Sequence, residues 1–323
     1  MKRLLIGIFV MGVVYGLMPG YSSLVEAKSN ILKVDDDGVQ CPEAAYTTIQ
    51  DAVDAANAGE KIQVCPGEYD GALVDEEVHI KGLGGATIVG GPAHSSGLTQ
   101  GFRLLAGSDG SSISHLTFTE DVDLTIMNGD AVNDVTIEHN TFYNQIQAVS
   151  NWRGDNWKIS HNTFEDLRTR CGGGIAILVG AFDGVQDAKG SVVSHNTIKG
   201  TLHVDPDDCG GYNGTGIVLF ADYRFGGAGG AVKENRVVQN KIALTSDTPN
   251  VVDVAAVELT DTRDDENVRD IEDNAIGFND LRGTEMQIVL TPDNLDNFND
   301  ISRNLGNNRG HGAHPSVFGP GGN

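Results

Sequence analysis

The sequence predicts an all-β chain, a single-domain, right-handed parallel β-helix with a short N-terminal capping helix. Three observations predict it. A five-residue unit recurs, as Glu138-His139-Asn140-Thr141-Phe142, Ser160-His161-Asn162-Thr163-Phe164 and Ser194-His195-Asn196-Thr197-Ile198. Short apolar stretches with the period-2 alternation of strands lie between the copies. No amphipathic helical pattern longer than about a dozen residues appears after residue 60.

Composition sets the outer bounds. A chain of 323 residues fits one large domain or two small ones. With 39% hydrophobic residues it is too apolar to stay disordered, and its 42 glycines lack the every-third period of collagen. It carries 45 Asp and Glu against 22 Lys and Arg, a formal net charge of −23. That balance argues against nucleic acid as a partner, because a phosphate backbone needs a basic footprint. It suits a soluble exported protein and cation binding.

Residues 1–27 read as a secretory signal peptide. Lys2 and Arg3 supply the charged start, Leu4 to Leu17 the apolar run, and Val25-Glu26-Ala27 a small-residue cleavage site. The apolar run falls short of the roughly 20 residues that span a bilayer. The mature protein is therefore expected to be secreted (extracellular or periplasmic), monomeric and without a membrane span.

The mature chain is expected to start with a cap, because the first turn of a solenoid exposes its interior. Residues 46–58 supply it as a short amphipathic helix, with Ile49, Val53 and Ala56 on one face and Gly59 as the stop. The strand Ile62–Val64 and the turn Cys65-Pro66-Gly67-Glu68-Tyr69 follow.

Next come the repeats. Weaker copies centre on Asn240, Asn279 and Asn304, and an Asn-less copy with Ile113, Leu116 and Phe118 precedes them all. A β-branched residue sits three positions before each Asn: Ile137, Ile159, Val193, Val237, Ile276 and Ile301. The intervals between the Asn residues are 22, 34, 44, 39 and 25, so the units are alike while the connections vary. Each turn then reads as a strand, a tight Asn corner, a second strand, a loop and a third strand. Stacked about 4.8 Å apart, such turns close each other's hydrogen-bond ladders, giving roughly nine or ten rungs. The Asn is expected to tolerate a left-handed backbone and to bond its equivalents from rung to rung. The β-helix is expected over 28–305 and a flexible Gly-rich tail over 306–323.

Four cysteines in an exported chain suggest two disulfides, and pairing Cys41 with Cys65 and Cys171 with Cys209 closes the shorter loops.

The capping helix, the Ile62-Gln63-Val64-Cys65-Pro66-Gly67-Glu68-Tyr69 opening and the Ile-x-x-Asn-x-Phe repeats resemble the right-handed parallel β-helix proteins of the pectate-lyase-like superfamily, over about residues 30–305. That resemblance implies the fold. Its chemistry is broad, since the superfamily includes lyases, hydrolases, esterases, epimerases and proteins without activity. In its enzymes the substrate lies along the outside of one sheet. That sheet maps here onto 146–151, 175–180, 217–222, 255–260 and 286–291. Its outward column is expected to hold Gln147, Val149 and Asn151, then Ala176, Leu178 and Gly180, and so on through Val218, Phe220, Asp222, Ala256, Glu258 and Val289.

On that face Asp222 and Glu258 occupy adjacent rungs, so their carboxylates are expected roughly 5–8 Å apart, from paired to water-bridged. Arg224 and Arg263 could clamp a uronate carboxylate or take its C5 proton, with Asp222, Glu258 and Asp261 as carboxylate or calcium partners. The catalytic candidates are thus Asp222, Arg224, Glu258, Asp261 and Arg263. Asp205, Asp207 and Asp208 form a candidate calcium loop. It is similar to the Asp-Pro-His-Asp motif of mannuronan epimerases, but Asp207 replaces the histidine. His139, His161 and His195 recur at stacked positions, either a metal column or an outward stack belonging to the corner. Two functions follow as expectations: lyase-type β-elimination on an acidic polysaccharide, with Ca2+ or without a cofactor, or non-catalytic binding of a glycan or cell surface. Outward Leu178, Phe220 and Val289 discriminate between the two: as an exposed patch they mark an interface, whereas a wet catalytic groove would rarely carry them unless a loop covers them.

Overall fold

The computed structural model describes residues 31–182, 184, 186–204, 214–224, 229–248, 253–263, 265, 267, 270–310 and 317–320. The expected signal peptide, residues 1–27, therefore lies outside the described residues. All strand pairings in its four sheets, of ten, nine, seven and three strands, are parallel. The chain visits the three large sheets in rotation. Lys158–Ser160 lies in the ten-stranded sheet, Thr163–Arg168 in the seven-stranded and Ile175–Ala181 in the nine-stranded; Val192–Ser194 then pairs back on Lys158–Ser160. This is the parallel β-helix. No helix among the described residues is long and apolar enough to cross a membrane.

The cap forms, but shorter than expected. α1 spans Ile49–Ala55, with Thr48 as N-cap accepting from the Asp51 amide at 3.1 Å. Tyr46 instead bridges Val34, and Ala56 is already extended, so Gly59 is not the stop. Ile49, Ala52 and Val53 close the interior. Ile31–Val34, an unanticipated strand, extends the ten-stranded sheet beneath the helix, and Cys41–Cys65 ties the intervening loop to the first rung.

The repeat's Asn residues form a buried ladder. Each amide nitrogen donates to the next rung's amide oxygen: Asn140 to Asn162 (3.2 Å), Asn162 to Asn196 (3.1 Å), Asn196 to Asn240 (3.0 Å), then on to Asn279 and Asn304. The left-handed residue is the one before each Asn, at φ +57° for His139 and +58° for His161. The Asn is thereby free to point inward. At the opposite corner Asn235, Asn274 and Asn299 form a second ladder, at 3.0 and 2.9 Å. Phe118, Phe142 and Phe164 stack in the interior with centroids 4.9 and 4.6 Å apart.

The nine-stranded sheet breaks the simple alternation. Val149 pairs with Ile177 and Ser150 with Leu178, so Ser150 and Trp152, rather than Val149 and Asn151, take the outer face. Ala148, Ala176 and Ala256 join the interior cluster together with the residue that follows each. One extra inward residue per rung is tolerated because it is small: a Cβ on the equivalent Gly216 would lie 2.7 Å from the Ala256 carbonyl oxygen.

Candidate functional site

The face expected to be a substrate groove is covered. Leu178, Phe220 and Val289 are all fully buried, so they form no exposed interface there. Leu178 and Phe220 belong to a second apolar cluster outside the nine-stranded sheet, with Leu124, Met127, Trp152, Ile175 and Val218. Phe182, Val317 and Phe318 pack against it. Residues 317–320, expected in a loose tail, are seated by those two apolar side chains, and Arg309–Gly310 still pairs with Met286–Thr291.

The predicted carboxylate pair does not form. Glu258 pairs with Val218 and Asp261 with Ala221, which sets Asp222 four residues further along the strand than Glu258's neighbour, about 13 Å away. Glu258 is fully buried, accepting from Thr215 Oγ1 at 2.8 Å and Thr260 Oγ1 at 2.7 Å. Burial pushes its carboxyl up to about 7, outweighing the two hydroxyl donors.

At the strand ends the remaining candidates do come together, as closed ion pairs. Arg224 Nε and Nη2 hold both oxygens of the buried Asp222 at 2.9 Å. One rung on, Arg263 holds Asp261 in the same i, i+2 fork, with Nε at 3.0 Å and Nη2 at 2.6 Å. Arg263 also contacts Asp270 and lies 3.6 Å over the Tyr223 ring, whose hydroxyl donates to Asp270. Burial alone would ease Arg263 toward neutrality, but hydrogen bonding to Asp261 and the charges of Asp261 and Asp270 hold its pKa above the ordinary value. A guanidinium so held cannot take a C5 proton. Burial first, and the bond to Asp270 second, likewise keep the Tyr223 hydroxyl protonated.

The metal candidates Asp205, Asp207 and Asp208 lie outside the described residues, as does Cys209 and with it the second expected disulfide. Among the described residues Asp35, Asp36 and Asp37 are the one acidic group with ligand atoms in mutual reach. Backbone amides already occupy it: Cys41 donates to Asp35, Glu68 to Asp36 and Val39 to Asp37. The histidine column is a stack of four, His115 joining His139, His161 and His195 at centroid spacings of 5.0, 5.1 and 4.9 Å. It forms no metal-holding group of three.

The open surface is elsewhere, on the ten-stranded sheet beside that histidine border. One outward row runs Lys61, His79, Ser112, Thr136, Lys158, Val192, Arg236 in register; its neighbour runs Lys81, Ser114, Glu138, Ser160, Ser194. The small residues make a flat floor, and the exposed imidazoles, then Gln239, Phe278 and Arg303, make its wall. Phe278 is 58% exposed with Arg303 over its ring at 5.3 Å, and a cleft of about 370 Å³ opens there above Ala275 and Gly277. Ser160 Oγ in the floor is buried without a hydrogen-bond partner. Sequence reasoning passed over this face because its signal is spread one residue per rung.

A protein-family profile described as "Protein of unknown function (DUF1565)" matches residues 35–261, more than half of the chain. The chain belongs to that family. The DUF1565 region runs from Asp35 in the capping loop to Asp261 at the end of Val254–Asp261, so it takes in the capping helix, most of the main Asn ladder and the histidine column, but not Phe278, Arg303 or the segment 317–320. No curated protein and no solved structure matches the chain.

Proposed function

We propose that the protein is a secreted, non-catalytic β-helix that binds an acidic cell-surface polysaccharide lengthwise on the open face of the ten-stranded sheet. One observation carries this reading. In a chain with about twice as many acidic as basic residues, this face carries Lys61, Lys81, Lys158, Arg236 and Arg303, against Glu138 and Asp300 in the rows and Glu77 beside His79. A linear polyanion laid along such rows makes many weak charge contacts at once and needs no deep pocket. The resemblance to pectate-lyase-like proteins supports a carbohydrate partner, and the leader-like residues 1–27 support export. Lyase chemistry on the nine-stranded face is disfavoured by the paired guanidinium groups and by the cover over Glu258. Calcium enters as an arm of the test.

The test is retention on immobilised pectate, alginate and hyaluronan, with calcium or with chelator. Wild type is expected to bind at least one of them at low salt, and Lys158→Glu with Arg236→Glu to weaken that binding at least ten-fold. Retention on none of them, or undiminished binding by the double variant, overturns the reading. So does unsaturated-uronide absorbance that Arg263→Ala abolishes, since that establishes catalysis on the other face.

A further inference from the structure

We infer that the outer face of the nine-stranded sheet is a peptide-binding site whose resident ligand is the chain's own segment Val317-Phe318-Gly319, and that it accepts an extended peptide of the same chemistry, anchored by one aromatic residue. This site is independent of the polysaccharide face.

The contacts are those of peptide recognition. The Gln147 side chain reads both backbone groups of one residue: its Nε2 donates to the Phe318 carbonyl at 3.0 Å, and its Oε1 accepts from the Phe318 amide at 3.1 Å. Trp152 Nε1 donates to the same carbonyl at 3.3 Å. One residue on, His94 Nε2 lies 3.1 Å from the Gly319 carbonyl. The tautomer follows from its other nitrogen, which accepts from the Ser96 amide at 3.1 Å, so the proton sits on Nε2 and is donated to the ligand. Backbone bonds of this kind give affinity, and a pocket for one side chain gives selectivity. The pocket is the apolar cluster of Leu124, Met127, Trp152 and Phe220, with His94 edge-on to the Phe318 ring at 6.5 Å.

A separate observation points the same way. Gln100 lies in register with Leu124, which lies in register with Gln147, and is fully buried. Its amide nitrogen faces Met127 Sδ at 3.8 Å, while its oxygen has no partner. An unpaired acceptor buried in the cluster that seats the segment is placed for one more peptide amide than Val317–Pro320 supplies.

The experiment uses the full chain carrying Phe318→Ala, which removes the aromatic anchor but leaves the sheet intact. The probe is a fluorescein-labelled peptide, Pro-Ser-Val-Phe-Gly-Pro. Saturable anisotropy is expected, with affinity at least ten-fold above that for wild type, whose site is already filled. Adding Gln147→Leu, or replacing the peptide's Phe by Ala, is expected to abolish the gain. Trp152 gives an internal signal: its emission should shift red in Phe318→Ala and return on adding peptide, against the buried Trp157 as constant background. Failure of the folded variant to bind, or equal binding with Gln147→Leu, overturns the proposal. As a check needing no destabilised chain, Gln147→Leu alone should speed amide exchange at Phe318 at least ten-fold; unchanged exchange also overturns it.

Discussion

Each rung of the main corner depends on one side chain. Asn196 accepts from both the Asn162 amide and its side chain, and gives its own Nδ2 to the Ile159 carbonyl and to Asn240. Asn196→Ala leaves several of these buried groups unpaired, at about 1–3 kcal/mol each. A total loss of about 3 kcal/mol or more is expected in urea unfolding, whereas Lys241→Ala, at an exposed strand position next to the ladder, should cost less than about 0.5 kcal/mol. Glu258 sets a pH dependence. Its unfolded carboxyl releases its proton near 4.5, while the folded one keeps it to about 7. Stability is therefore full at acid pH, falls as pH rises between these values, and is level above them. Glu258→Gln should match wild type at pH 4 and exceed it by about 3 kcal/mol at pH 8; a wild-type melt that does not fall across that window contradicts the assignment. The main ladder was legible because His-Asn-Thr repeats as a phrase. The second ladder was not: Asn235, Asn274 and Asn299 follow Glu234, Asp273 and Phe298, and Ser191 and Trp157 stand in on earlier rungs.

Among elements, strand existence was readable and strand facing only in part. Leu178, Val218 and Phe220 keep the expected outer face, but the register slip at Ala148, Ala176, Gly216 and Ala256 turns Ala176, Ala256 and, in the earliest of these rungs, Val149 inward, and nothing in an alternating apolar run announces a stacked bulge. What fixes it is the lack of space: Gly216→Val would drive side-chain atoms toward the Ala256 carbonyl and Ile242 Cγ2, which lie 2.7 and 2.9 Å from a bare Cβ. A loss of about 1–3 kcal/mol is expected, read as a lowered midpoint without a change in slope. The cap was readable from its amphipathic face, yet its start was set by Tyr46 joining Val34 and by the N-cap Thr48, and its end by Ala56 turning extended. The disulfide next to it closes a loop of sequence separation 24, so Cys41→Ser with Cys65→Ser should cost about 2–4 kcal/mol, most of it through the unfolded chain. A variant pair as stable as the reduced wild type is the matching control.

For the whole molecule, the distribution of charge matters more than its sum. The candidate carboxylates and guanidinium groups were legible as residue types, but the sequence pattern could not tell an open groove from closed ion pairs beside a covered apolar cluster. The solenoid does what neither residue nor element does alone: it turns one exposed imidazole per rung into a four-membered column, His115 to His195, with rings about 5 Å apart. Histidines charge on mild acidification. His115 does so at a lower pH than usual, because it is partly buried and near Lys81 and His139, with Glu138 opposing. Like charges at that spacing repel, and a polyanion laid beside them relieves the repulsion, so binding and protonation must favour each other. Going from pH 7.5 to 5.5 leaves uronate carboxylates ionised, since they titrate near 4. Affinity for the acidic polysaccharide is therefore expected to rise about ten-fold over that interval, at roughly 0.3–0.5 kcal/mol per added charge. Replacing the four imidazoles by Gln should leave binding at pH 7.5 unchanged and remove the rise. If the rise survives in that variant, the protonation that drives it lies elsewhere on the molecule.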